Sequence, residues 1–296
     1  MKKQDFLRKQ LWLVIFGMIA IVSCNHQGLP RSVDSRDSVA VDSISPETDD
    51  VAPMDSLKTD TVSFSKQEGK YNFGLLAEYP VEGGDSLVKA IRVFINDFLG
   101  GAYEGPLDDR QKMIEKNGEI MYGNFLEMCG DADLDEVYEL SYFKSVSRSF
   151  ESNAFVTFMT LQTQYTGGLH GMGFETGVTF CKANGKTFGY DMMKNTDAPE
   201  FKRFIKEGLK KFFSPEGYQD MSDEDLLQEL VSYSGSADEL PLPDAQPYMT
   251  EKGVTFNYQP YEISYYAAGR PEFTIPYEAI EPYLTPQAKA WFLNGR

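Results

Sequence analysis

Between Asn25 and Ser63 the chain runs for 39 residues without one aromatic side chain. At Phe64 it changes character, and 37 of its 40 aromatic residues fall in the last 233 residues. The first stretch is rich in Ser and Asp and carries Pro30, Pro46 and Pro53. It holds too little apolar surface to offset the entropy of ordering it, so residues 24–63 are expected to form a disordered tether. As a flexible coil, such a tether has a root-mean-square reach of about 34 Å. The second stretch has apolar material for one large or two small hydrophobic cores.

Upstream lies the only long apolar run, Leu11 to Val22, preceded by Lys2, Lys3, Arg8 and Lys9 and closed by Ile21-Val22-Ser23-Cys24. This is the layout of a signal peptide. Twelve helical residues span roughly 18 Å against a hydrocarbon core of roughly 30 Å, which disfavours a membrane span. Small Ser23 and branched Ile21 before Cys24 point to a bacterial lipoprotein, with residues 1–23 as leader and Cys24 as the lipidated first residue. An ordinary secretory leader is the alternative. The expected location is extracytoplasmic and membrane-anchored, at an outer membrane or cell surface, since Asn25 rather than aspartate follows the cysteine.

The formal charge is −17, and removing the leader's net positive charge leaves about −20. Nucleic acid is therefore excluded as a natural partner and a cationic one is the complement, although acidity also serves solubility. With Cys24 assigned to the lipid, Cys129 and Cys181 can form one bridge or remain as two buried thiols.

The pattern predicts an α+β fold with mainly antiparallel sheet, in two sub-domains over residues 64–170 and 171–296. Strands are expected at 71–79, 137–146, 154–165 and 173–182. An Asn184-Gly185 hairpin should lead into 187–190, with further strands at 253–258, 261–267 and 272–276. Leu87, Ile91, Phe94, Ile95 and Phe98 mark a helix ended by Gly100-Gly101, and a second over 107–128 is expected to break near Asn117-Gly118. Helices are also expected around 201–212 and 223–231.

His170 is the only histidine of the folded part, within Tyr165-Thr-Gly-Gly-Leu-His-Gly171. Flanking glycines let the backbone bend and give the imidazole room to face a ligand, so Tyr165, Gly167, Gly168, His170 and Gly171 are candidate binding residues. Alternatively His170 hydrogen-bonds backbone at a tight strand crossing. One histidine cannot supply the paired ligands of a usual zinc site, and no metal or cofactor is expected. Asp131-x-Asp133-x-Asp135 begins like a calcium loop, but Glu136 stands at the turn-glycine position, and a solvated acidic turn is expected instead. No nucleophile elbow or dinucleotide loop occurs. Tyr258, Tyr261, Tyr265, Tyr266 and Tyr277 could stack on sugars or anchor an interface, or simply pack. Strand alternation would put Tyr261 and Tyr265 on one face and Tyr266 on the other, which makes Tyr261 and Tyr265 further candidates.

Two segments carry a resemblance. Tyr165-Thr-Gly-Gly-Leu-His-Gly171, with the following Asn184-Gly185-Lys186 and Asp191-Met-Met193, is similar to the Tyr-x-Gly-Gly-Ala-His region of the extracellular domain of RsiV-type anti-sigma factors. Tyr261-Glu-Ile-Ser-Tyr-Tyr-Ala-Ala-Gly269 and Phe273-Thr-Ile-Pro-Tyr277 resemble that family's C-terminal signature. In that family the N-terminal part is shared with the non-catalytic region of PdaC-type peptidoglycan deacetylases, and the RsiV domain is a lysozyme receptor. The resemblance implies an extracellular α+β module associated with the cell wall, glycans or muramidases. The family's sigma-binding segment, membrane span and deacetylase domain are not matched here, so neither transmembrane signalling nor deacetylation is expected.

The expected function is a lipid-anchored, non-enzymatic binding module that captures a basic protein such as a lysozyme-like enzyme, or peptidoglycan. The alternatives are an envelope glycan hydrolase or transferase with His170 as general base assisted by Glu175, and a surface carbohydrate-binding lipoprotein.

Overall fold

A computed structural model describes residues 56–294 except 131, 133, 134 and 136. The leader, Cys24, most of the tether, and Asp131 and Asp133 of the acidic run lie outside the described residues. The larger sheet joins β1 (Lys58–Glu68), β2 (Tyr71–Glu82), β3 (Leu140–Glu151), β4 (Phe155–Tyr165) and β5 (Met172–Cys181) in that order. Every pairing in it is antiparallel except β2 with β3, where two helices carry the chain across. The fold is α+β with mainly antiparallel sheet, as its pattern predicts.

Strand β1 corrects the expected tether, because residues 58–63 pair with β2. A composition averaged over 39 residues hides a short alternating run in which Val62 is buried and Phe64 half-buried beside exposed Ser63 and Ser65. Leu57 is buried just before it.

The crossover helices are α1 (Asp85–Phe98) and α2 (Arg110–Met128). Leu87, Ile91 and Ile95 make the buried stripe of α1, which stops at left-handed Gly100 and Gly101, the latter donating to the Asn96 carbonyl at 2.9 Å. Helix α2 is continuous, so the expected break at Asn117-Gly118 does not exist. Its reason is tertiary. Asn117 Oδ1 accepts the N–H groups of Ala102 and Tyr103 at 2.9 and 3.0 Å, while its Nδ2 donates to Asn96 Oδ1 at 2.9 Å. Gly118 leaves room for the Phe64 ring, which an added Cβ would approach closer than 3.0 Å.

The core under these helices gathers around Phe73, whose ring stacks on Tyr142 and meets Tyr122 edge-on. A second core lies among α3 (Pro199–Phe213), α4 (Asp223–Glu229) and a smaller sheet of β6 (Tyr248–Met249), β7 (Gly253–Asn257) and β8 (Glu272–Pro276). Helices α5 (Tyr277–Ile280) and α6 (Pro286–Asn294) complete it. Gly208 of α3 receives Phe273 as Gly118 receives Phe64. The Asn184-Gly185 turn closes with Gly185 N–H to the Cys181 carbonyl at 2.8 Å, but the strand expected after it shrinks to one bridge, Phe180 to Thr187.

The two sheets meet at buried threonines on β4 and β5. Thr157 donates to the Met249 carbonyl at 2.7 Å, and Thr179 Oγ1 accepts the Met249 N–H at 2.8 Å. The sub-domain division expected at 170/171 falls in the loop joining β4 and β5. Cys129 and Cys181 are unpaired and buried in different cores, where burial pushes both thiols up. Near the start of β1, the Glu151 carboxylate takes Leu57 N–H (2.8 Å), Arg148 (2.8 Å) and buried Lys182 (2.9 Å).

Candidate functional site

The β4–β5 loop is shaped by the residues around His170. Tyr165 Oη donates to the Gly168 carbonyl at 2.9 Å, latching the loop across itself. Gly167 and Gly168 have φ of +100° and +96°, and a Cβ on Gly171 would press on the Gln164 carbonyl. Those four residues set the course of the loop. Leu169 and His170 are the side chains the loop turns out to solvent.

The second motif does not form the strand expected over 261–267. Glu262 N–H donates to the Gln259 carbonyl at 3.1 Å, closing a turn with Pro260 in second place and Tyr261 in third at φ +68°. That third place normally calls for glycine, and a tyrosine there carries backbone strain of about 1–3 kcal/mol. The Glu262 carboxylate takes the N–H groups of Gln259 and Asp244, both at 2.6 Å, while Ile263 is buried beneath. Burial pushes the Glu262 carboxyl above its ordinary range, the two N–H groups opposing it and the Asp244 charge adding to it. A short 3-10 turn, Tyr266–Ala268, follows.

This path overturns the expected alternation. Tyr261 and Tyr266 lie on the same side, with rings 5.7 Å apart, while Tyr265 points elsewhere and donates to Glu229 Oε2 at 3.0 Å. His170 stacks on Tyr266 at 3.9 Å between centroids, 15° from parallel, and its Nε2 lies 3.1 Å from Tyr261 Oη. Its Nδ1 is 2.9 Å from the Gly171 carbonyl oxygen. A carbonyl only accepts, so Nδ1 carries a proton, and Nε2 shares a hydrogen bond with the Tyr261 hydroxyl. Two motifs some ninety residues apart in sequence thus form one exposed platform, His170–Tyr261–Tyr266. Of the residues read from sequence, His170 and Tyr261 meet. Tyr266 was the missed partner, and Tyr265 stands apart.

Beyond Tyr266 opens a cleft of about 750 Å³ between β5, β8 and the 260–270 segment. Glu175 forms an ion pair with Arg270 across it, which answers the expectation that Glu175 assists His170, because its carboxylate is engaged by arginine. Glu272 Oε2 accepts the Tyr248 hydroxyl at 2.8 Å, and burial, reinforced by Glu272, pushes that phenol up. Gln259 holds the edge of β5 as a neighbouring strand would. Its side-chain oxygen accepts Glu175 N–H at 3.2 Å, and its nitrogen donates to the Glu175 carbonyl at 2.9 Å. Arg270 and Glu272 carried no spacing signal, since their partners come from distant strands. Among the described residues no group of three His, Cys, Asp or Glu side chains is placed to hold a metal ion.

Fold and site together define an α+β domain with an exposed aromatic platform beside a polar cleft. Residues 191–278 match the model of the DUF3298 family, described as a protein of unknown function. That stretch contains Tyr261, Tyr266 and Arg270 and begins after His170. A solved member of the DUF3298 family from Bacteroides fragilis is similar, with a TM-score of 0.54 and 18% identity, covering 79% of this chain and 96% of that one. A DUF3298 family protein from Pseudomonas aeruginosa aligns with a TM-score of 0.55 and 16% identity, over 79% of this chain and 97% of that one. At these identities the likeness is one of fold. No curated protein matches the chain.

Proposed function

We propose that the chain is a lipid-anchored extracytoplasmic binding module that uses the His170–Tyr261–Tyr266 platform to capture a basic, lysozyme-like enzyme of the cell envelope. The carrying observation is the meeting of the two motif segments on an exposed surface, with Tyr261 held in a strained backbone conformation. These are also the segments that resemble the lysozyme-receptor domain of RsiV-type proteins. Strain at an exposed aromatic is retained where the side chain's direction matters. The charge of about −20 left after removal of the leader would speed encounter with a cationic partner and make that encounter salt-sensitive.

Peptidoglycan is the other ligand that the resemblance implies. A hydrolase or transferase reading has less support, since both ring nitrogens of His170 are engaged and Glu175 pairs with Arg270. Two substitutions test the reading. Tyr261→Ala should weaken capture of a c-type lysozyme at least tenfold with little change in Tm, whereas unchanged capture removes the platform from the interface. Cys24→Ala should move the protein from the membrane fraction to the soluble one, and a protein that stays membrane-bound contradicts the anchor.

A further inference from the structure

The cleft on the far side of Tyr266 has a composition of its own, and each wall narrows what could fill it. Its volume of about 750 Å³ falls within the roughly 300–1,000 Å³ of small-molecule sites. Arg270 is neutralised by Glu175, and Glu272 adds a further carboxylate, so an anionic ligand would meet net negative charge. A bare cation would share the cleft with a guanidinium. A wholly apolar ligand would strip water from Glu272 and Arg270 without replacing its hydrogen bonds.

What remains is a ligand that is polar but uncharged or weakly basic, with vicinal donors and acceptors and one apolar face. Planar Arg270 and Glu272 offer fixed pairs of donors and acceptors for neighbouring hydroxyls, while buried Asn257 is engaged by Thr176 and the Glu175 carbonyl. Phe212, Pro260, Ala267 and the Tyr266 ring supply apolar surface for a face of C–H bonds. The wall is set in advance. Gln259 and Asn257 both donate to the Glu175 carbonyl, Tyr248 orients Glu272, and His170 stacks on Tyr266.

We propose that this cleft is a binding site for a short saccharide of neutral or amino sugars, distinct from the platform surface though sharing Tyr266 with it. The proposal rests on the chain being a binding module but not on protein capture. The shared ring gives the arrangement a consequence, because a sugar in the cleft would brace the ring that His170 stacks on.

The test uses the purified full chain on an array of neutral and amino-sugar oligosaccharides, followed by calorimetry with the strongest hit. Binding that survives high salt is expected. Glu272→Gln, which keeps an oxygen for Tyr248, should weaken it at least tenfold at unchanged Tm, and Tyr261→Ala should change it less than threefold. Arg270→Met should weaken it likewise. If that variant loses its fold, Glu272→Gln decides alone. No array glycan above background, or binding that Glu272→Gln leaves within twofold, would overturn the site. Failure of the protein-capture reading would look different, with lysozyme binding absent while the saccharide response to Glu272→Gln persists.

Discussion

Around Phe73 the chain is held by periodicity, and around Ile263 it is held by single polar contacts. In the first region β1 and β2 present alternate side chains to helices whose buried positions recur every three or four residues, and most polar groups are consumed by strand and helix hydrogen bonds. In the second, from Tyr258 to Arg270, there is no regular ladder. Tyr258 Oη donates to the Pro241 carbonyl, Ser264 to the Glu229 carbonyl, and Glu262 gathers two backbone N–H groups. A repetitive core distributes its stability over many equivalent contacts. An irregular segment depends on a few, and in return it can aim Tyr261 and Tyr266 in one direction.

That difference can be broken experimentally. The largest effect is expected at Glu151, where Glu151→Ala leaves the Lys182 ammonium, with only 4% of its side chain exposed, lacking its carboxylate. Loss of about 3–5 kcal/mol in chemical denaturation is expected, and a loss below about 1 kcal/mol would mean that the node adds little to the regular half. Burial alone would raise the Glu151 carboxyl, but hydrogen bonds from Lys182 and Leu57 N–H, with the Arg148 charge, hold it below the usual range. Its stabilisation is therefore complete above the ordinary carboxylate pKa and fades as pH falls through the lowered folded value. A pH series of unfolding free energies should show a smaller acid-side loss in Glu151→Gln than in the parent, because Asp223, held low by Lys210 and Lys206, titrates in both.

Next comes Gly118→Ala. Alanine favours a helix by about 1 kcal/mol over glycine, yet the methyl would invade the Phe64 ring, so a net loss of about 1–3 kcal/mol is expected. A gain in Tm would show that Phe64 can move aside. Glu262→Ala should cost less, about 1–2 kcal/mol, because water can reach part of the freed N–H groups. It should nevertheless abolish platform binding, the reverse of Gly118→Ala, which should spare binding in whatever protein remains folded. Glu262 also titrates with the opposite sign to Glu151. Its raised folded pKa favours folding below the ordinary carboxylate range, and that contribution is lost as pH rises through the folded value. The smallest effect on stability is expected at Tyr261, where Tyr261→Gly should relieve the left-handed strain and raise stability by up to about 1 kcal/mol while removing one of the three platform rings. Clear destabilisation would mean that the tyrosine is held by packing rather than kept for its direction.

The same contrast explains what was legible in the sequence. Helix α1 could be read because Leu87, Ile91 and Ile95 repeat at helical spacing and Gly100-Gly101 ends them. Helix α2 runs unbroken through Asn117-Gly118, against its propensity, because Asn117 satisfies the Ala102 and Tyr103 N–H groups and Phe64 needs the space. The run from Tyr261 to Ala267 has the aromatic and branched residues of a strand, but Pro260 and the carboxylate of Glu262 commit it to a turn. On the site, the two motifs were visible as separate segments, and their meeting was not, because it depends on where the β4–β5 loop and the smaller sheet come together. The cleft was hidden further, since Glu175, Arg270 and Glu272 acquire their relation only through pairing across distant strands.

We propose that His170, Tyr261 and Tyr266 form a capture surface for a basic envelope enzyme. That capture is tested most directly by calorimetric titration of the full chain with a c-type lysozyme at low and moderate salt, with muramidase activity followed in parallel. Binding at micromolar affinity or tighter, weakened by salt, inhibiting the enzyme and lost in Tyr261→Ala is the predicted result. Absence of heat and of inhibition at both salt concentrations would contradict it.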